Sequence, residues 1–226
     1  GIEMELVMSS QLFARSLVVT VLFVGFLACV ACHKSSSHGG ASATGLSTSR
    51  FIDAPVEGLT FTYGPADSPT EGVTGVDGAF EFPVGEEVQF SIGGILLGVP
   101  FIPGQFCTPV DCVVGAVDET HPEVANIARF LQSLDANNNA DDGIIISQAV
   151  TDAAFGITID FAQAVADFEN DLTVLDMLAV AGYAALVDAN QALAHLQSSI
   201  LGLNAGVYSG TFGGDDSGTF RAAVSR

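Results

Sequence analysis

Positive charge is what this chain most lacks. Six Lys and Arg stand against 26 Asp and Glu in 226 residues, a formal net charge of −20. A polyanion of this kind repels nucleic acid and anionic lipid head groups, because both are held through Lys and Arg. Nucleic-acid partners are therefore excluded. Cysteine is also scarce, with four in the chain, and two of them fall near the N-terminus at Cys29 and Cys32. Long apolar runs are missing except for one, Leu17–Ala28, of about a dozen residues. A helix that crosses a bilayer needs about 20. No histidine has a serine or cysteine nucleophile in a recognisable motif around it, so no catalytic constellation stands out, and the expected activity is non-enzymatic.

The single apolar run follows Arg15 and ends at small residues, in the order of a secretory signal: basic start, apolar middle, small-residue cleavage site. Its end, Phe26-Leu27-Ala28-Cys29-Val30-Ala31-Cys32, resembles the lipobox of bacterial lipoproteins, in which a small residue precedes the cysteine that becomes the lipidated N-terminus. Cys32 is the expected lipidation site and Cys29 the alternative. Cleavage before Cys32 removes Cys29 and leaves Cys107 and Cys112 as an even pair, whereas lipidation at Cys29 strands a thiol. The resemblance implies a covalent lipid, a membrane partner through that lipid, and residence in the bacterial cell envelope. Residues 1–31 are expected to be the signal peptide and 32–50 a flexible tether, since HKSSSHGGASATGLSTS has no apolar period. His33 and His38 fall in it as solvated spacer residues.

The remainder is apolar enough to fold, and its length suits one compact domain or two small ones. From 51 to 118 the grammar is that of strands. Leu59, Phe61 and Tyr63 alternate, Phe80 and Phe82 share a face after the Asp77-Gly78 turn, and Val88–Ile92 is a clean period-2 run that Gly93-Gly94 turns into Ile95–Leu97. Short strands between Gly and Pro turns predict a small antiparallel β-sandwich. The series Val56, Gly58, Leu59, Tyr63, then Gly75, Gly78, Phe80, Phe82, then Gly85, Glu86, Val88, Phe90, Ile92, Gly93, Ile95, Leu97, Gly98 resembles a module of bacterial surface proteins and lipoproteins. Its centre is similar to carboxypeptidase-regulatory-like, or transthyretin-like, sandwiches. That resemblance implies a non-catalytic scaffold.

Cys107-Thr108-Pro109-Val110-Asp111-Cys112 reads as a local disulfide on an exported chain. The alternative is a metal pair, but no further Cys or His stands nearby to complete a zinc site.

Residues 119–203 read as helical. Val124, Ile127, Leu131 and Leu134 recur at helical spacing, with Thr120 and Glu123 placed for a capping box. Arg129 lies inside this helix, either paired with a carboxylate or solvated. Further helices are expected over Leu172–Tyr183 and Leu186–Leu201, the latter carrying His195 as a packing or surface residue. Directly after the first helix, the run Asp135-Ala136-Asn137-Asn138-Asn139-Ala140-Asp141 puts oxygen-bearing side chains at alternate positions. Asp135, Asn137, Asn139 and Asp141 suit a calcium ion in part: the loop begins like an EF-hand but has Ala140 at the glycine position and Ile146 where the bidentate glutamate belongs. The other reading is an Asx-rich turn with no metal. Arg129–Gln132 with Leu134-Asp135 also matches the surface module.

Residues 204–226 return to strand grammar, with Gly213-Gly214-Asp215-Asp216 as a turn, and are expected to open a further, truncated β domain. The fold class is thus α+β: an antiparallel β-sandwich, then a helical segment, then a β-hairpin. The expected function is a membrane-anchored extracytoplasmic lipoprotein acting as a binding or structural, adhesin-like module for an envelope or extracellular ligand. The alternative is an accessory region of a secreted enzyme whose catalytic domain lies beyond Arg226.

Overall fold

The computed structural model describes residues 45–203 and the strands 206–212 and 218–224. The signal peptide, Cys29, Cys32 and most of the tether lie outside the described residues. The fold is α+β, with a sheet region followed by helices, as its patterning predicts.

Seven short strands come first: β1 (Leu46–Arg50), β2 (Val56–Glu57), β3 (Thr60–Tyr63), β4 (Thr70–Val73), β5 (Ala79–Pro83), β6 (Val88–Ile92) and β7 (Ile95–Leu96). Strands β4-β3-β6-β7 form one antiparallel sheet, and β1 pairs with β5 in a second. Phe80 of β5 meets Phe61 and Phe90 of the larger sheet and stacks on Phe82 of its own strand, and ring centroids of Phe80 and Phe90 are 5.0 Å apart, edge to face. Edge-to-face contact matches the positive ring edge to the negative face, at separations of about 4.5–7 Å. The alternation read from the sequence thus places its aromatic faces between the two sheets.

Three features depart from expectation. The folded body starts at Leu46, not at Phe51, because Leu46–Arg50 register against Ala79–Pro83. The tether therefore gives up its last five positions to β1; a Ser/Thr-rich edge strand has no apolar period of its own and is defined by its partner. Asp77-Gly78 does form a turn, with Gly78 N–H donating to Gly75 O at 2.8 Å. Instead of closing a hairpin, it carries the chain from one sheet to the other. Gly78 has φ +71 there, and a Cβ would sit 2.5 Å from Phe51 O, so no other residue fits without displacement. The alternating strand of Leu59, Phe61 and Tyr63 does not run back to Val56: the chain breaks at Gly58 (φ +86), and β2 pairs in parallel with β8 (Ile144–Ile145), beyond the Asx-rich loop.

The helical part holds α1 (Pro122–Ser133), α2 (Gln148–Ala153), α3 (Val165–Phe168), α4 (Leu172–Ala181) and α5 (Ala189–Leu203). The proline occupies the first turn of α1, where its missing N–H costs nothing. His121 is the N-cap, and no side chain caps the helix; Thr120 bonds Asp118 instead of forming the expected capping box. Asp171 caps α4 by accepting from Thr173 and Val174, and Gly182 ends it in the left-handed conformation. Asp188 accepts from Asn190 and Gln191 and so starts α5 at Ala189, three residues later than the apolar spacing suggests. A hairpin of β9 (Gly206–Phe212) and β10 (Gly218–Val224) follows.

The two expected domains, 51–118 and 119–203, share one continuous apolar core that runs from Phe51, Phe82 and Phe90 to Phe130, Phe161 and Phe168. The helix α1 is its centre: every residue from Val124 to Ser133 is buried. That burial extends to polar residues, each of which is hydrogen-bonded to a neighbouring segment. Asn126 donates to Phe161 O and Gln163 O, both at 2.9 Å. Arg129, 1 % exposed, donates from Nε to Val187 O at 2.8 Å and lies 3.5 Å from the carboxylate of Glu169. Ser133 Oγ donates to Arg129 O and accepts from Val187 N–H.

Asn126→Ala leaves two carbonyls that it serves without their donors. An unsatisfied buried group costs about 1–3 kcal/mol, so the substitution is expected to lower unfolding free energy by about 2 kcal/mol, read from the urea midpoint at unchanged m-value.

Candidate functional site

A cleft of about 920 Å³ opens where three segments meet: the corner after β1, the Asx-rich loop and one face of α5. The corner is made by the chain turning at Ala54, which takes a left-handed conformation (φ +56). Such a conformation costs a non-glycine residue about 1–2 kcal/mol. It is held by the bond from Ala54 N–H to Ser199 Oγ of α5, 3.1 Å long. The turn drives Asp53 inward until its side chain is wholly buried beneath the cleft.

Gln132 of α1 meets this carboxyl. Its Nε2 lies 3.1 Å from both Asp53 oxygens and donates also to Ala192 O of α5 at 3.1 Å. One amide thus ties the corner, the central helix and the last helix together. His195 of α5 lies on the other side of Asp53. Its Nε2 is 3.9 Å from Asp53 Oδ1, too long for a hydrogen bond, and has no hydrogen-bond partner; its Nδ1 is 3.3 Å from Asp141 Oδ1 on the loop. Burial pushes the Asp53 carboxyl up to about 7, against the smaller, opposing effect of the Gln132 hydrogen bond. Asp141, by contrast, is exposed to solvent.

The cleft therefore has an acceptor-rich floor, with Asp141 and the amides of Asn138 and Asn139 at one wall and Ser198, Ser199 and Gln191 at the other. No Lys or Arg lines it. Among the described residues no serine or cysteine is hydrogen-bonded to His195. The arrangement can hold or pass a proton and can accept hydrogen bonds from a guest; it offers no activated nucleophile.

Of the sequence-predicted loop residues, Asn139 and Asp141 line this cleft, whereas Asp135 and Asn137 do not. Asp135 is fully buried at the end of α1; its Oδ1 accepts from Ile145 N–H (2.9 Å) and its Oδ2 from Asn139 N–H (2.7 Å). Asn137 Oδ1 also accepts from Asn139 N–H, while the amide groups of Asn137 and Asn139 both donate to Asp142. Asp141 faces His195. These four residues make an Asx turn that carries the chain from α1 into β8, and Asn138 sits at its left-handed position (φ +57). Among the described residues no group of three or more His, Cys, Asp or Glu is arranged to hold a metal.

Cys107 and Cys112 are brought together, but as two free, buried thiols; the expected disulfide is not present. Cys107 Sγ faces Arg50 O at 3.5 Å and Cys112 Sγ faces Thr108 O at 3.8 Å. The loop between them is closed without a covalent bond, since Asp111 accepts from both the N–H and the hydroxyl of Thr108, at 2.8 and 3.0 Å. Burial pushes both thiols well above their ordinary range.

Asp53 escaped sequence reasoning, and Gln132 was visible only as part of the Arg-Phe-Leu-Gln motif. The available signals were weak: a lone acid in the apolar run Phe51-Ile52-Asp53-Ala54, and a glutamine on the apolar side of a helix.

Asp135→Ala removes the acceptor for two loop N–H groups. Charge-assisted bonds contribute about 1.5–3 kcal/mol each, so a loss of about 3 kcal/mol is expected by chemical denaturation, and it should persist in excess chelator because the bonds are internal.

The chain matches no family model, no curated protein and no solved structure in the three comparisons made.

Proposed function

We propose that this chain is an extracytoplasmic lipoprotein, lipid-anchored at Cys32, whose folded body is a non-catalytic binding or structural module of the cell envelope. The observation that carries the reading is the order of parts. A signal-like apolar run ends at Ala31-Cys32, a Ser/Gly-rich stretch follows, and the folded body begins at Leu46. That is the layout of a domain held off a membrane by a short leash. Among the described residues no helix is long and apolar enough to cross a membrane.

The chemistry of the cleft supports binding over turnover. Its hydroxyl and amide groups are positioned by contacts within the fold, as Ser199 is by Ala54 and Gln132 by Asp53. The excess of carboxylates over cations favours ligands that are neutral or positively charged and keeps the body soluble beside anionic head groups. An adhesin-like role on an envelope or extracellular ligand fits these properties.

Feeding cells an alkyne analogue of palmitate should label the protein, and Cys32→Ala should abolish the label. Label that survives in Cys32→Ala but vanishes in Cys29→Ala moves the site to Cys29. No label in the unsubstituted chain overturns the lipoprotein reading.

A further inference from the structure

Carboxylates are spread through this acidic chain, yet residues 88–117 carry a single charge, Asp111, whose carboxylate accepts from the N–H and hydroxyl of Thr108. Much of this stretch runs along one edge of the larger sheet. Strand β7 pairs with Ser91 and Ile92, Leu97 N–H donates to Phe90 O, and Phe101 exchanges backbone bonds with Val88, so 95–101 covers the outer side of β6. Val99 N–H donates to Cys112 O at 2.9 Å, which brings 112–117 alongside, and Gly94 N–H donates to Ala154 O at 3.0 Å, which brings Phe155 to the same edge. Six apolar side chains on these adjoining segments are exposed: Leu96, Val99, Ile102, Val114, Val117 and Phe155, the last two at 90 % and 86 %. Clustered exposure of this kind marks a contact surface, because single scattered apolar residues do not line up along one edge.

We propose that this edge is the face on which the folded body rests against the lipid bilayer that holds its anchor. The inference rests on the reading of Cys32 as the lipidated residue. Residues 33–45 are all that separates Cys32 from β1, and a chain of that length spans at most about 45 Å when fully extended. The body therefore stays at the bilayer, where a weak surface attraction is enough to dock it, because the leash keeps the local concentration high. Charge then selects the face. A net charge of −20 repels anionic head groups, and the nearly uncharged edge is the one that approaches them with least repulsion while offering apolar side chains to the acyl boundary. Asp118 and Asp152 flank it in sequence and accept from Thr120 and Gln148. A second copy of the chain would also cover the apolar residues, but it would bring two strongly acidic bodies together, which their self-repulsion disfavours.

The chain has no tryptophan, so one introduced indole reports on one place. Phe155→Trp puts it in the proposed face. Val73→Trp puts it on β4, the opposite edge of the same sheet, where Val73 is exposed two residues from Glu71.

Each full-length variant, purified from membranes, is reconstituted into vesicles of phosphatidylcholine brominated in the acyl chains, and flotation reports whether it is anchored. Phe155→Trp is expected to shift to the blue and to lose about half or more of its emission, as an indole about 5–10 Å into the interface should. Val73→Trp is expected to keep its emission. Should Phe155→Trp fold poorly, Val117→Trp, at the other strongly exposed position, takes its place with the same expectation. Protein that floats with the vesicles while both edges are quenched equally, or neither is, overturns the docking face and leaves the anchor standing. Protein that does not float overturns the anchor and the docking face together. A blue shift of Phe155→Trp that appears without vesicles and grows with protein concentration gives the face to a second copy and overturns the lipid assignment.

Discussion

A helix buried on every face must find partners for the polar side chains it carries, and α1 carries four. Asn126, Arg129, Gln132 and Ser133 all lie inside the core. Leaving any of them unbonded costs about 1–3 kcal/mol for a neutral group and more for a charge. Each therefore holds a segment that has little regular structure of its own. Asn126 holds the irregular chain at 161–163, Arg129 and Ser133 hold the approach to α5 at Val187, and Gln132 holds the corner at Asp53 together with α5. The short helices and strands around α1 are too small to be stable alone. They are placed by these bonds and by the apolar core that α1 shares with both sheets.

The same constraint creates the cleft. Because Gln132 draws Asp53 inward, the corner stands against α5, and Ala54 is bound to Ser199 in a strained conformation. The Asx loop completes the third side, since Asp135 folds it back into β8 and β8 pairs with β2 next to the corner. An acid is thereby buried without a positive partner, in a protein that has few cations to offer. That is the physical origin of the raised Asp53 pKa.

Much of the β region was legible. Period-2 aromatic positions in Val88–Ile92 and Ala79–Pro83 report the buried face directly, and Gly93-Gly94 forms the hairpin its backbone freedom suits. The apolar spacing of Val124–Leu134 located α1, and the Asx turn was among the readings that Asp135–Asp141 allowed. Strand β1 was not legible, because Leu-Ser-Thr-Ser-Arg has no pattern until β5 lies beside it. The β2–β8 pairing joins residues separated by the whole sandwich and α1, and no local signal encodes it. The shared core follows from that pairing and from α1, so a boundary drawn at a change of grammar did not become a boundary between domains.

For the site the division is sharper. Local chemistry dictated the acidic body, the turn at Asp135 and the helix bearing His195, since composition, Asx side chains and apolar spacing act over a few residues. The meeting of Asp53, Gln132 and His195 was decided by tertiary structure alone. Their partnership depends on how far an acid is removed from water and on which groups face it there, and both are properties of the packed chain rather than of any stretch within it.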